Sequence, residues 1–279
     1  MPGILYLCAT PIGNLEDITL RVLSTLKEAD IIAAEDTRNT IKLLNHFNIK
    51  TPMTSYHEYN KYDKAEYLVN KLLDGENIAL VTDAGTPGIS DPGEEIVKKA
   101  YQAGIQVTSL PGACACVTAL TLSGLSTRRF AFEAFLPSDK KERKTILNSL
   151  KEETRTIIIY EAPHHLKNTL NELYQALSDR KITICHELTK LHETVHLHTL
   201  SSAIEYYMQN QPKGEYVLVI EGCKIKELET KKQEEYKNMD ITEHMDIYLS
   251  EGMSKKEAMK KVASDRGIPK REVYNSLLK

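Results

Sequence analysis

Glycine, proline and aspartate cluster in loops that follow predicted strands. The longest loop, residues 83–93, holds three glycines, two prolines and two aspartates, and shorter loops at 9–15 and 110–112 have a similar character. Glycine lets a backbone approach a ligand closely, and proline fixes the shape of a loop. The sequence has neither the GxGxxG dinucleotide fingerprint nor the Walker phosphate loop. These loops therefore favour a ligand site that does not use either of those phosphate cradles, with ordinary turns as the alternative.

A second candidate group follows the predicted strand at 31–34, where Glu35 and Asp36 precede Thr37 and Arg38. Paired carboxylates at the end of a strand could bind a hydroxyl group or remove a proton. We predict that Glu35, Asp36 and Arg38 position the substrate or assist proton removal. The alternative is a helix cap in which Asp36 or Thr37 accepts backbone hydrogen bonds and Arg38 is solvated.

Residues 192–196 read HETVH, which formally matches the zinc-protease pattern. That chemistry needs a helix, so that both imidazoles reach one ion. Thr194 and Val195 are β-branched, and apolar and polar residues alternate as in a strand. Because strand positions four apart are separated by about 13 Å, we predict that His192 and His196 are solvated strand histidines and that the protein has no metal site.

Strands and helices alternate over residues 1–124, which predicts a mostly parallel sheet with helices on both faces. Such a sheet would bring the loops above to one edge, where open α/β sheets bind ligands. The predicted strands are 4–9, 31–34, 78–82 and 106–110, and the predicted helices are 17–27, 40–47, 63–73, 93–101 and 113–122.

Residues 125–222 predict a second α/β domain. Its last three strands follow one another without a predicted helix, which indicates a mixed sheet. The predicted strands are 130–136, 156–161, 182–188, 194–200 and 215–221, and the predicted helices are 140–151 and 164–177. Tyr160 and Glu161 end one of these strands. As for Glu35 and Asp36, the alternatives are a functional role and a helix cap. Residues 223–279 predict a charged linker or exposed helix and then a basic helical tail, with Ser254 as a helix cap and Pro269 as a helix start.

The amino-acid composition restricts the classes of protein to which this chain could belong. The 279 residues suffice for about two domains, and 41% apolar with 27% charged residues is typical of a globular protein. No apolar run approaches the ~20 residues of a membrane span, and the first residues lack the basic leader of a signal peptide. Five scattered cysteines without a C-x-x-C pair favour reduced thiols in the cytoplasm.

Charge is unevenly distributed. The whole chain has a net charge of −3, whereas residues 253–279 hold eight basic and three acidic residues, a net charge of +5. This segment predicts contact with a polyanion. A solvated helical cap or a dimer contact is the alternative.

Several motifs in order resemble one known family. They are ATPIGNLEDIT (9–19), AAEDTR (33–38), LVTDAGTPGISDPG (80–93), SLPG (109–112), EAFLP (133–137), YEAPHHL (160–166), ELTKLHE (187–193) and GEYVLVIEG (214–222). Together they resemble the ribosomal small-subunit RNA methyltransferase I group of the tetrapyrrole-methylase superfamily, over residues 4–222. Two places depart from its usual pattern: His165 stands where arginine is usual, and Ala113 and Cys114 stand where proline and serine are commoner.

The resemblance implies two α/β domains with S-adenosylmethionine in the cleft between them, in a homodimer. Its activity would be 2′-O-ribose methylation of a cytidine in the decoding region of small-subunit (16S) rRNA. Carried over by position, the cofactor-binding residues are Pro11, Ile12, Asp83, Gly85, Thr86, Pro87, Ile89, Ala113, Cys114, Ala115, Tyr160 and Glu161. The alternatives are a tetrapyrrole (corrin precursor) methyltransferase and a non-catalytic RNA-binding ribosome assembly factor that uses its basic end.

Overall fold

The computed structural model describes residues 1–278, apart from the side chains of residues 226–229, 231 and 232. Lys279, the last basic residue of the predicted tail, lies outside this described part. By its internal contacts the chain forms two compact units. The larger unit comprises Met1–Lys151 and Arg155–Glu221, and the smaller unit comprises Glu152–Thr154 and the chain from Gly222 onward. The three-part division predicted at 124 and 222 stays a prediction.

The first sheet is parallel throughout and has the strand order β3-β2-β4-β1-β5. Its strands are β1 (Ile4–Cys8), β2 (Ile31–Ala34), β3 (Met53–Ser55), β4 (Ile78–Val81) and β5 (Gln106–Leu110). The helices that accompany it are α1 (Leu20–Glu28), α2 (Thr37–His46), α3 (Lys61–Leu73) and α4 (Gly93–Gln102). The predicted parallel sheet is confirmed. The short strand β3 was not predicted, because three half-buried residues show no hydrophobic period.

The central strand β4 shows why helices cover both faces of this sheet, since all four of its residues are buried. Ile78 and Leu80 face a core that includes Leu68 of α3 and Ile96 of α4. The intervening residues of β4 face the opposite core, which contains residues of α1 and α2. A strand buried on both faces is a continuous apolar run, which is the pattern read from the sequence.

The next helix, α5 (Ala115–Leu122), leads from the first sheet to the second. Its buried residues Cys116, Ala119 and Leu120 share a core with Ile158 and Val219 of the second sheet. After the helix, the Ser123 carbonyl accepts a 2.8 Å hydrogen bond from the Thr183 hydroxyl. The chain directly after α5 is therefore attached to the second sheet.

The second sheet is mixed, with the strand order β6-β7-β10-β8-β9, in which only β6 and β7 pair in parallel. Its strands are β6 (Phe130–Phe135), β7 (Thr156–Glu161), β8 (Lys181–His186), β9 (Thr194–Thr199) and β10 (Tyr216–Ile220). One of its faces is covered by α6 (Lys140–Ser149), α7 (Leu166–Leu177) and α8 (Leu200–Gln209). The predicted mixed sheet is confirmed.

The prediction that no helix separates the last strands was wrong for one connection, because α8 joins β9 to β10. Thr199 ends the strand and also caps this helix through a capping box with Ser202. The β-branched residues before it continue as strand up to the cap, which conceals the helix start in the sequence. Leu200, Ala203 and Tyr207 of α8 are buried, at helical spacing.

The smaller unit is helical and contains α9 (Ile225–Asn238), α10 (Ile241–Ser250), α11 (Lys255–Arg266) and α12 (Lys270–Ser276). Ser254 caps α11 through a capping box with Glu257, and Pro269 directly precedes α12, as predicted. Helix α9 occupies the segment for which the sequence left a linker or an exposed helix open. Within the described residues, no helix is both long and apolar enough to cross a membrane.

Candidate active site

A cavity of about 460 Å³ lies in the larger unit, between the loops at the carboxyl edge of the first sheet and one edge of the second sheet. It has the size range of small-molecule sites. Nine of the twelve predicted cofactor-binding residues line it, namely Ile12, Asp83, Gly85, Thr86, Ile89, Cys114, Ala115, Tyr160 and Glu161.

The loops after β1 and β4 are joined by backbone hydrogen bonds. Thr10 and Gly85 exchange both of theirs, at 2.9 and 3.0 Å, and the Thr10 hydroxyl donates to the Thr82 carbonyl. Gly85 has a φ of +87°, and an added Cβ atom would lie 3.3 Å from Cγ2 of Ile12. This position therefore requires glycine for its conformation and leaves little room for a side chain.

Asp91 holds the rest of the loop after β4. Its carboxylate accepts hydrogen bonds from the backbone amides of Gly88, Ile89 and Gly93, at 2.8 to 3.2 Å. Burial raises the pKa of Asp91, although these amide donors favour its charged form. Asp91 also lines the cavity. It was not among the predicted site residues, yet its signal was present as the second aspartate of the 83–93 loop.

The start of α5 connects the two sides of the cavity. The Ala113 carbonyl accepts a 2.9 Å hydrogen bond from the Thr86 hydroxyl, and the Cys116 amide donates to the Tyr160 hydroxyl at 3.0 Å. Burial raises the pKa of Tyr160. Ala113 is thus placed behind the lining residues, and Pro87 is buried within its loop.

The second sheet and the residues that follow its strands contribute a wall of side chains, of which the sequence analysis had singled out only Tyr160 and Glu161. Phe135 and Tyr160 meet edge to face, with ring centroids 5.6 Å apart. The pairing of β6 with β7 shifts register between Phe132 and Phe135, and Ala134 there has a φ of +52°. Such bulges redirect side chains beside functional sites. Other residues of this wall are Cys185, Leu188, Tyr216 and Val217.

Glu161 is a buried carboxylate with several partners. It accepts hydrogen bonds from the Ala162 amide and the Thr169 hydroxyl, and Arg143 lies 4.0 Å from it. These partners satisfy a charge that would otherwise be costly to bury. Glu161 therefore fixes the turn between β7 and α7 at the rim of the cavity.

The predicted catalytic residues Glu35, Asp36 and Arg38 include a helix cap, the alternative that the sequence left open. Asp36 caps α2 by accepting from the Arg38 amide, and it pairs with the Arg38 guanidinium at 2.6 Å. Hydrogen bonding to Arg38 and its positive charge lower the pKa of Asp36 to about 2. The Arg38 side chain is 87% exposed. The capping alternative is therefore confirmed for Asp36.

The same group also positions Asp83. Glu35 accepts from the Thr82 hydroxyl at 2.6 Å and from the Asp83 amide at 3.3 Å, and the Asp36 amide donates to the Asp83 carboxylate at 3.1 Å. Partial burial and the nearby charge of Glu35 raise the pKa of Asp83. Asp83 lines the cavity, whereas Glu35, Asp36 and Arg38 are not among its described lining residues. Their direct role in catalysis stays a prediction.

A groove of about 410 Å³ adjoins the cavity and shares Asp83, Ile12 and Glu215 with it. Lys42, His46 and Lys190 line the groove, as does Pro11, the remaining predicted cofactor residue. The groove therefore has basic side chains, whereas the cavity has acidic ones. Among the described residues that line the cavity, four carry carboxylates and none is basic.

Lys190 is held in place at this groove. It donates to Glu187 at 2.8 Å and to Glu215 at 2.9 Å. A Cβ atom on Gly13 would lie 2.5 Å from Cγ of Lys190, so the loop after β1 packs directly on the lysine stem. The two motifs that contain Gly13 and Lys190 therefore depend on each other.

His196 lies in strand β9, and His192 lies in the turn before it. The predicted strand is confirmed, so this segment does not form the helix that the zinc-protease pattern requires. Residues 1–278, within the limits of their described side chains, contain no group of three or more potential metal ligands.

Comparison with known proteins agrees with this geometry. Residues 5–204 match the family described as Tetrapyrrole (Corrin/Porphyrin) Methylases. Among solved structures, a diphthine synthase superposes with a TM-score of 0.61 at 15% identity, over 79% of this chain and 90% of its own. A uroporphyrin-III-C-methyltransferase from Thermus thermophilus has a TM-score of 0.57 at 19% identity, over 78% and 94%. The fold and the cavity thus define a tetrapyrrole-methylase-type methyltransferase.

Relatives with higher sequence identity define the family more precisely. The chain is 49% identical to ribosomal RNA small subunit methyltransferase I of Halalkalibacterium halodurans and 48% identical to that of Bacillus subtilis. Each comparison covers 98% of this chain and 94% of the relative. The chain belongs to the ribosomal RNA small subunit methyltransferase I family. It is therefore an enzyme, and its cofactor is S-adenosylmethionine.

Proposed function

We propose that this protein transfers a methyl group from S-adenosylmethionine to the ribose 2′ oxygen of a cytidine in the decoding region of 16S rRNA. The names of its relatives support the rRNA substrate. One structural observation carries the proposal. A cavity lined by carboxylates and apolar groups adjoins a groove with basic side chains, and the two share Asp83.

The cavity suits the cofactor. S-adenosylmethionine supplies an electrophilic methyl group on a cationic sulfonium, and it carries no phosphate. Asp83 and Glu215 place negative charge at the cavity, and Phe135, Tyr160 and Val217 supply apolar surface for a ring system. The backbone around Gly85 and Thr86 approaches closely enough to bind the polar ends of the cofactor.

The groove suits the acceptor. Lys42, with His46 one turn further along α2, would contact the phosphates of an RNA chain and place a ribose beside Asp83, while Lys190 holds Glu187 and Glu215. In this proposal the Asp83 carboxylate accepts the proton of the ribose hydroxyl, and Glu35 and Asp36 hold Asp83 in position. A raised pKa makes Asp83 a stronger base than an ordinary aspartate, which favours this role.

A tetrapyrrole acceptor is the second candidate, since the matching family is described by that substrate. The basic side chains of the groove could also bind the carboxylates of such a ring.

Two further features belong to our proposal: a homodimer in the cytoplasm, and RNA contact through the tail. In α11, Lys256 and Lys260 are exposed one turn apart. Arg266, which the sequence counted among the basic tail residues, is buried and donates to the carbonyls of Met239 and Asp240. The predicted basic surface is therefore smaller than the net charge suggests.

The decisive assay offers methyl-labelled S-adenosylmethionine with small ribosomal subunits that lack the modification, with 16S rRNA alone, and with a corrin precursor. We expect labelled 2′-O-methylcytidine in the rRNA after nuclease digestion. At saturating cofactor, Asp83→Asn should lower kcat by roughly 10²–10⁴-fold, the usual contribution of a general base. Label on a base or on the tetrapyrrole instead of ribose would contradict the proposal, and analytical ultracentrifugation of the same protein tests the homodimer.

A further inference from the structure

Two thiols lie together at the start of α5. Cys114 is the N-cap residue of this helix, Cys116 is in its first turn, and their Sγ atoms are 3.6 Å apart. All five cysteines of the chain are free. A disulfide needs the two sulfurs at about 2.05 Å, so only a short movement separates this pair from a covalent bond.

The two thiols differ in access and in acidity. Cys114 is half-buried and lines the cavity, whereas Cys116 is 6% exposed. Hydrogen bonds from the Cys116 thiol and from amides of the first helical turn lower the pKa of Cys114. The contact with the Cys114 thiol and burial raise the pKa of Cys116. Cys114 is the more exposed of the two thiols and lines the cavity, so a soluble oxidant reaches it first, with a second thiol adjacent to it.

Two other cysteines provide a contrast. Burial raises the pKa of Cys8 and of Cys185 to about 12. Cys185 also lies at the cavity, but it is fully buried and has no thiol partner within hydrogen-bonding distance among the described residues. The pairing at the helix start is what distinguishes Cys114.

We propose that Cys114 and Cys116 form a redox modification site, which hydrogen peroxide or an organic hydroperoxide converts to an intramolecular disulfide. The Cys114 thiolate attacks the peroxide, so an S–O bond forms, the O–O bond breaks, and water or an alcohol leaves after protonation. The Cys116 sulfur then attacks the sulfenic acid, the S–S bond forms, the S–O bond breaks, and the hydroxide leaves as water with the Cys116 proton. Each turnover oxidises two thiols and reduces one peroxide.

Disulfide formation would alter the cavity. Cys114 is part of the lining, and the Cys116 amide holds the Tyr160 hydroxyl of the opposite wall at 3.0 Å. Drawing the sulfurs together shifts the first turn of α5 and with it this hydrogen bond. The consequence for the cofactor rests on the proposed function: oxidised protein binds S-adenosylmethionine at least tenfold more weakly, and dithiothreitol restores binding.

The test treats folded full-length protein with hydrogen peroxide, followed by alkylation and peptide mapping by mass spectrometry. In the wild type and in Cys185→Ala, we expect the peptide with residues 114–116 to lose two hydrogen atoms and to resist alkylation until it is reduced. Cys116→Ala should instead give a dimedone adduct on Cys114. Two alkylatable thiols in the treated wild type, or a disulfide that involves Cys185, would overturn the proposal.

Calorimetry on the reduced and oxidised wild type then separates this site from the proposed function. We expect tight binding in the reduced form and weak binding in the oxidised form. Equal affinities would overturn the control of cofactor binding. Absence of binding by the reduced protein would count against the proposed function, because the peptide map reports the disulfide without any cofactor.

Discussion

The two sheets contribute to the cavity in different ways. The first sheet supplies loops whose backbone surrounds the site, and side chains such as Asp91 and Thr10 serve to hold that backbone. The second sheet supplies side chains directly, with Phe135, Tyr160 and Val217 facing the cavity from neighbouring strands. The side that is lined by backbone depends on a few residues that fix its loops. The wall of side chains is formed by many apolar residues, each of which can be replaced. Single substitutions should therefore have larger effects on the first side.

Among substitutions that remove a side chain, the largest effect on cofactor affinity is expected from Asp91→Ala. Without the carboxylate, the amides of Gly88, Ile89 and Gly93 lose their acceptor, and the loop must be ordered on binding at about 1–2 kcal/mol per residue. Affinity for S-adenosylmethionine should fall roughly tenfold to hundredfold by calorimetry.

Asp139→Ala is a matched control for Asp91→Ala. Asp139 also accepts from backbone amides, those of Lys141 and Glu142, but it caps α6 and does not line the cavity. This variant should lose about 1 kcal/mol in free energy of unfolding and keep its cofactor affinity. If both variants bind equally well, the loop does not depend on its anchor.

A smaller effect is expected from Phe135→Ala in the opposite wall. The side chain is 55% exposed and meets Tyr160 edge to face, a contact worth about 0.5–1.5 kcal/mol. Cofactor affinity should fall about three- to tenfold with little change in thermal stability. Phe130→Ala, at the other end of the same strand and 41% exposed, is the control. An equal loss in both variants would mean that Phe135 acts through the strand and not through the cavity.

The difference between the two sides also explains what the sequence could predict. The loops that contain Ile12, Gly85 and Thr86 were found because glycine and proline mark loops that follow strands, and the resemblance to the family then singled out these residues. Phe135 and Val217 were not found, since an apolar residue on a strand has the same pattern whether it faces a core or a cavity. The capping role of Asp36 could not be chosen from the sequence alone, because a capping carboxylate and a catalytic one have the same sequence signature. Helix α8 was missed because the strand-forming residues of β9 continue up to Thr199, which caps the helix.

The smaller unit provides a further contrast, because the described residues that line the cavity all belong to the larger unit. The double variant Lys256→Gln/Lys260→Gln should keep full cofactor affinity and bind 16S rRNA more weakly. For each lysine that pairs with a phosphate, its removal should reduce the salt slope of RNA binding by roughly 0.7–0.9. Lys140→Gln/Lys144→Gln, also one turn apart and exposed but on α6, is the matched control. An unchanged slope in the tail variant would exclude these two lysines as RNA-binding residues.

The central claim is that the loops of the first sheet bind S-adenosylmethionine at the cavity, and Gly85→Val tests it most directly. The account predicts one site per chain in the wild type by calorimetry and a loss of at least about thirtyfold in Gly85→Val, because the new side chain meets Ile12 and the positive φ disfavours it. Gly104→Val is the control, since Gly104 also has a positive φ, of +70°, but open space around its Cβ position. It should lose stability and retain affinity. Folded Gly85→Val protein that binds S-adenosylmethionine as tightly as the wild type would contradict the assignment of this cavity.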